Sequence, residues 1–357
     1  MGREIYGNPV ARLLWNNKFM DFDIALNRGS ADKPAVILIH GIGMDKDIWM
    51  NPSKSRILGG RLPLKIFLGQ RPSVKDFGIS RDKPKEDISE FSTGVQPDVI
   101  ETIFDDLKLK GYTVITWSQE RPSGPIDSAV SELEEIIKSV KKLTKAGVIL
   151  IGHSRGGLIG RKYLLRKDRS IKGLITISSP HRGSSIARIA CYLKPLASLL
   201  GPLLNANNKD TLSFSIKQVL DFLKSRALKE LLPESLFFRS LKDEPFDWIY
   251  YLSLGGTDPT LFSFYRWHWS SAKEGRYYRW FLRPDELFSI PEIFQKVIPD
   301  KLYPEEIKKG KGDGLVSAES SQIPWCNEHY NFGLNHAQML FDKGVRDLLV
   351  TAIERIS

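Results

Sequence analysis

The chain has 357 residues, 41% of them hydrophobic and 26% charged, with a formal net charge of +10. This is globular composition, far from the disordered and fibrous extremes, and the length allows one large core. The positive charge favours anionic partners, but Lys and Arg are scattered, and neither a zinc pattern nor another nucleic-acid motif accompanies them. Nucleic acid is therefore not expected, and transient contact with an acidic membrane surface is the reading left for the charge.

No apolar stretch follows the early charges of Met1-Gly2-Arg3-Glu4-Ile5-Tyr6, unlike a secretory signal. The longest apolar stretch, 189–204, is interrupted by Lys194, Pro195 and Pro202, too broken to span a membrane. Cys191 and Cys326 are the only cysteines, so no disulfide framework or four-cysteine metal site exists. A cytoplasmic protein is expected, at most peripheral to a membrane.

From Ala35 to Ser179 short apolar runs alternate with helical periodicity, the pattern of a parallel sheet with crossover helices. Pro34 to Ile39 reads as a strand that breaks at His40-Gly41-Ile42-Gly43. Residues 51–88 read as a long loop or surface insertion. Glu101 to Gly111 predicts a helix and Tyr112 to Trp117 a strand. Val130, Leu133, Ile136, Ile137, Val140 and Leu143 fall three or four apart, which predicts the clearest helix of the chain. Val148-Ile149-Leu150-Ile151 follows as a buried strand, then Gly152-His153-Ser154-Arg155-Gly156 and a helix over 158–166. Gly173 to Ser179 is the next strand, stopped by Pro180.

Beyond it the alternation breaks. Residues 184–245 are helix-rich and amphipathic, with Leu199, Leu200, Leu203, Leu204, Val219, Leu220, Phe222 and Leu223. Asp247 to Gly256 predicts a strand, and 259–310 is aromatic-rich without an assignable pattern. Leu340, Phe341, Val345, Leu348, Leu349, Ala352 and Ile353 predict an amphipathic terminal helix. The expected organisation is one α/β domain over 1–357, with a helical insertion at 184–245.

Gly-x-Ser-x-Gly alone is a weak signal. Its context here, an apolar strand before it and a helix after it, is what the nucleophile-elbow motif requires. Ser154 would sit on a turn tight enough to strain its backbone, with Gly152 and Gly156 lacking Cβ atoms because strand and helix pass closely. The bland alternative is an ordinary strand-to-helix turn. A serine needs a base to take its proton and a carboxylate to hold that base. Of six histidines, His40 and His153 flank the glycine turns and read as structural. His181 comes too early for the base but could line the cleft, and His268 lies packed between Trp267 and Trp269. That leaves His329 and His336, and His336 occupies the loop before the terminal helix where the motif order places the base. For the acid, Asp258 at the end of a strand and Asp313 in Gly312-Asp313-Gly314 are left open by the pattern.

Together, His40-Gly41-Ile42-Gly43, Gly152-His153-Ser154-Arg155-Gly156-Gly157, Ser179-Pro180-His181-Arg182-Gly183-Ser184 and Gly312-Asp313-Gly314-Leu315-Val316 followed by Asn335-His336 resemble bacterial triacylglycerol lipases of the α/β-hydrolase superfamily. The similarity covers about 34–183 and 247–341. The resemblance implies a mostly parallel sheet flanked by helices, a triad of Ser154, Asp313 and His336, and an oxyanion hole at the backbone N–H groups of Ile42 and Arg155. The 184–245 insertion lies outside the similarity, and its apolar leucines read as a helical lid over the cleft; a fixed cap shaping a small pocket is the alternative. Some such lipases hold calcium with an Asp two residues after the histidine. Here that place is Gln338, so neither a metal nor a cofactor is expected. The expected activity is cleavage of carboxylic esters, of acylglycerols or other lipid esters. The rivals are a thioesterase or acyltransferase with the same triad, and a non-catalytic binding protein of the same fold.

Overall fold

Seven strands build the central sheet: β1 (Ile24–Asn27), β2 (Ala35–Ile39), β3 (Val114–Trp117), β4 (Val148–His153), β5 (Ile171–Ile177), β6 (Tyr250–Gly256) and β7 (Glu328–Phe332). Their spatial order is β7-β6-β5-β4-β2-β3-β1. Every neighbouring pair is parallel except β1 with β3 at the edge. The computed structural model describes residues 13–15, 18–20, 22–57, 60–61, 68–69, 71–86, 91–92, 95, 99–189, 226–290 and 298–357.

The central strands are continuous apolar runs because both of their faces are covered. Every residue of β2 and β4 is buried, and alternate side chains serve opposite cores. Ile37, Ile39, Val148 and Leu150 pack with helices α2 (Ile126–Val140) and α3 (Arg155–Tyr163). Val36, Leu38, Ile149 and Ile151 pack on the other face, with α1 (Ile103–Leu109) and α4 (Lys343–Ile356). Of the predicted stripe, Val130, Leu133, Ile136, Ile137 and Val140 are buried on α2, while Leu143 falls past its end in a turn. α1 starts where Thr102 Oγ1 accepts the Asp105 N–H at 3.3 Å, satisfying a donor that the helix itself leaves free. This three-layer arrangement is the expected α/β fold. Among the described residues, no helix is long and apolar enough to cross a membrane.

The stretch 259–310, aromatic-rich without an assignable sequence pattern, has regular structure over 262–290. It holds a long antiparallel hairpin, Phe262–Glu274 with Tyr277–Ile290. The turn is Gly275-Arg276, and Gly275 takes φ +64°, open to glycine at little cost and fitting a two-residue hairpin loop. Lys75–Ser80 and Phe91–Ser92 flank the hairpin to complete a second, four-stranded sheet. The 51–88 insertion thus contributes a strand. Both contributing segments leave the central sheet from carboxyl ends of strands, β2 and β6, the end where Ser154 also lies.

The lid expectation falls mainly outside the described residues, since 190–225, with its leucines at 199, 200, 203 and 204 and the run 219–223, is not among them. Its flanks show a 3-10 turn at Ile186–Ile189 and short helices at Arg226–Glu230 and Leu236–Ser240.

Candidate active site

Ser154 stands at the carboxyl end of β4, where the strand turns directly into α3. Its φ of 54° and ψ of −127° lie outside the conformations an L-residue ordinarily adopts, a strain of order 1–3 kcal/mol that the surrounding packing must hold. The glycines explain how the turn fits. A Cβ on Gly156 would stand 2.2 Å from the Ile39 carbonyl oxygen, and one on Gly152 would stand 2.3 Å from the Gly157 nitrogen. The Ser154 N–H donates to the Ile177 carbonyl at 2.8 Å, tying the turn to β5. Although Ser154 occupies the N-cap position, its side chain does not cap the helix. Its hydroxyl is thus left for another task.

His336 and Asp313 come together at the same end of the sheet. Nδ1 of His336 lies 2.9 Å from Oδ2 of Asp313. A carboxylate oxygen accepts, so Nδ1 carries a proton, and the neutral ring has its lone pair on Nε2. Oδ1 of Asp313 accepts the N–H groups of Leu315 at 3.0 Å and Val316 at 2.8 Å, and the His336 N–H donates to the Asp313 carbonyl at 3.0 Å. Asp313 is wholly buried and His336 nearly so. The link from this pair to the serine's turn runs through His153, whose Nε2–H donates to the His336 carbonyl at 3.2 Å. The two imidazole rings lie 4.7 Å apart. Burial, then the neighbouring His336, holds His153 well below the usual imidazole range.

The Ile42 and Arg155 amides occupy the two segments expected to face an oxyanion. Arg155 is the first residue of α3, where no intrahelical acceptor exists and the helix dipole favours negative charge. Among the described residues, neither amide donates to a backbone acceptor outside regular structure. The Arg155 side chain turns inward. Its Nη1 donates to Gln119 Oε1 at 2.8 Å and to the Pro122 carbonyl at 3.3 Å, and Nη2 to the Gly124 carbonyl at 2.5 Å. Burial pushes its guanidinium down to about 10, which leaves it cationic at neutral pH.

A family profile described as "alpha/beta hydrolase fold" matches residues 34–251, more than half of the chain. The chain belongs to the α/β-hydrolase fold family. No curated protein matches its sequence significantly. Among solved structures, the mature Bacillus licheniformis lipase BlEst2 is 12% identical with a TM-score of 0.46, over 92% of this chain and 97% of that one. The monoacylglycerol lipase of Paleococcus ferrophilus is 14% identical with a TM-score of 0.41, over 94% and 98%. A hydrolase from Oleispira antarctica is 15% identical with a TM-score of 0.42, over 93% and 94%. Likenesses of this size say nothing of the substrate of this α/β-hydrolase-fold protein.

The side chains of the remaining candidates have other partners. The carboxylate of Asp258 accepts the Thr260 N–H at 2.9 Å, closing its own turn. His329 stands on β7, with Nδ1 2.9 Å from Ser253 Oγ and Nε2 3.1 Å from Asn331 Oδ1. His181 is buried with Nε2 3.0 Å from Thr176 Oγ1. His268 is not packed between its tryptophan neighbours: successive residues of a strand point to opposite faces, and its Nδ1 pairs with Asp285 at 3.0 Å on the exposed hairpin. His40 is a neutral fixture. The Gln119 N–H donates to its Nε2 at 3.1 Å and its Nδ1–H donates to the Gly41 carbonyl at 2.8 Å. Burial pushes it down to about 4, with the charge of Arg155 acting in the same direction. Gln119 carries no sequence motif and was not a candidate; only its place just past β3 hints at a role. Gln338 Oε1 accepts the Asn335 N–H at 3.1 Å and so braces the His336 loop. Among the described residues, no cluster of three or more His, Cys, Asp or Glu could hold a metal ion.

Proposed function

We propose that this α/β-hydrolase-fold protein is a serine esterase that cleaves carboxylic esters, of lipid type, through an acyl-enzyme. The observation that carries the reading is the buried Asp313–His336 pair at 2.9 Å, set beside a serine whose backbone is held at positive φ and whose side chain caps nothing. Ser154 Oγ attacks the ester carbonyl carbon while His336 Nε2 takes its proton. The carbonyl oxygen becomes an oxyanion facing the Ile42 and Arg155 amides. Each such donor is worth about 2.7–4 kcal/mol of barrier. As the tetrahedral intermediate collapses, the C–O bond breaks and the alcohol leaves with the proton from His336. Water then attacks the acyl-enzyme by the same route and returns the serine. Asp313 orients the imidazole throughout and remains a carboxylate.

The lipid part of the reading is supported by the signatures shared with triacylglycerol lipases, by the apolar residues of the 184–245 insertion and by the net charge of +10. A lipid ester at an acidic membrane surface would be the partner. A chain-length series of esters, run beside matching thioesters with and without an alcohol acceptor, tests it. Turnover of medium or long esters above thioesters, and no transfer to the alcohol, is expected. Preference for thioesters or for transfer would overturn the ester assignment while keeping the triad.

A further inference from the structure

The proposed oxyanion site draws its two amides from different chain segments, and the loop after β3 is wedged between them. On one side, the Gly43 N–H donates to the Pro122 carbonyl at 2.8 Å. On the same side, Gln119 makes two bonds to His40: its N–H to Nε2 at 3.1 Å, and its Nε2 to the His40 carbonyl at 3.2 Å. On the other side, Gln119 Oε1 and the carbonyls of Pro122 and Gly124 receive the guanidinium of Arg155. The Gln119 amide has only one orientation here. Arginine only donates and a carbonyl only accepts, so oxygen must face Arg155 and nitrogen must face His40. For the same reason the 3.4 Å approach of Gln119 Nε2 to His40 Nδ1 is a contact and not a bond, because Nδ1 carries the proton given to Gly41. All three residues are buried, where an unmet partner is costly and a filled one rigid.

We infer that Gln119 is a positioning residue of the oxyanion site. Its side chain ties the His40–Gly43 loop, which carries the Ile42 amide, to the guanidinium of the residue that carries the second amide. The loop holds two glycines around Ile42 and has little stiffness of its own. Without the bridge the Ile42 amide can drift relative to Arg155. Donors that shift by an ångström cost the transition state far more than the bound substrate. The inference rests on the serine-esterase reading above.

The test compares wild type with Gln119→Met, which keeps length and volume but loses both side-chain bonds, and with Gln119→Glu. The glutamate keeps an acceptor for Arg155 and loses the donor to His40. Competent sites are counted with a fluorophosphonate, and kcat and KM are measured on a soluble nitrophenyl ester. Affinity is then measured for a trifluoromethyl ketone, which forms an oxyanion on the serine. In Gln119→Met, kcat per titrated site should fall about 10- to 100-fold, with KM within about twofold and ketone affinity weakened in parallel with kcat. If Gln119→Met does not fold, Gln119→Glu should show the same split. Full kcat per site in a folded variant, or a kcat loss with unchanged ketone affinity, overturns the inference alone. A wild type that neither labels nor turns over the ester overturns the esterase reading and the inference with it.

Discussion

Asp313 holds His336 from a position with no exposure of its own: one carboxylate oxygen meets Nδ1 at 2.9 Å while the other is filled by two backbone amides. Both oxygens are therefore committed, and the imidazole has one tautomer. Replacing Asp313 with Asn should leave the chain folded but let the amide nitrogen face Nδ1, selecting the wrong tautomer. The expected loss in kcat is about 10⁴. Asp258→Asn alters a side chain whose carboxylate accepts only from the Thr260 N–H and keeps the backbone bond to Leu334, so it should change kcat by less than about twofold. Steady-state kinetics on a soluble ester decide between them, and a silent Asp313→Asn beside an inactive Asp258→Asn would refute the assignment.

Ser154 combines an unfavourable backbone conformation with a side chain that does not cap its helix, and the proposed role as nucleophile requires that this conformation cost stability. Ser154→Gly should relieve strain and raise thermal stability by about 1 kcal/mol. Turnover should fall about 10⁶. A thermal melt that shows Ser154→Gly less stable than wild type would mean that the turn is not strained.

The turn has no room at Gly156. Its added Cβ would sit against backbone, the Ile39 carbonyl, which cannot swing aside as a side chain can. Gly156→Ala should cost about 3 kcal/mol by forcing β2 and α3 apart, seen as a lower urea midpoint with unchanged slope. An alanine variant of wild-type stability would place the helix further from β2 than described.

Three buried histidines predict the acid side of the stability profile. His40, His153 and His181 are all depressed, chiefly by burial, His40 to about 4. A depressed base binds its proton more readily in the unfolded chain, so its contribution is complete above the unfolded value near 6.5 and is lost as pH falls toward the folded value. His40 alone accounts for on the order of 3 kcal/mol across the window from 6.5 to 4. Urea midpoints should fall steadily over that window, and NMR should show the His40 ring neutral, with its proton on Nδ1, at pH 5. A ring that titrates near 6.5 would contradict the burial and the Gln119 N–H bond to Nε2.

What the sequence could and could not reveal follows from burial. Val148 to Ile151 was legible because a central parallel strand is covered on both faces and reads as an unbroken apolar run. Glu328 to Phe332 was not, since β7 is an edge strand of mostly half-exposed residues with no apolar face to mark it. The hairpin over 262–290 carries only a partial signal. Aromatic and polar residues alternate as in a strand over 265–270, but the phase slips at the Phe264/Tyr265 bulge and the second strand does not alternate. At the site, Ser154 and His336 lie in turns that the sequence marks with glycine, whereas Asp313 stands out from Asp258, itself after a glycine pair, only through the family resemblance. The Gln119 bridge carries no mark at all, because a single buried glutamine acts through partners far away in sequence.

An activated nucleophile at Ser154 is the centre of the proposed chemistry. Its most direct test is reaction of the folded chain with a fluorophosphonate, followed by peptide mapping, beside Ser154→Ala and His336→Ala controls. One adduct on Ser154 is predicted, absent in Ser154→Ala and formed far more slowly in His336→Ala. No adduct on well-folded wild type, or an adduct on Ser154 at the same rate without His336, would contradict it.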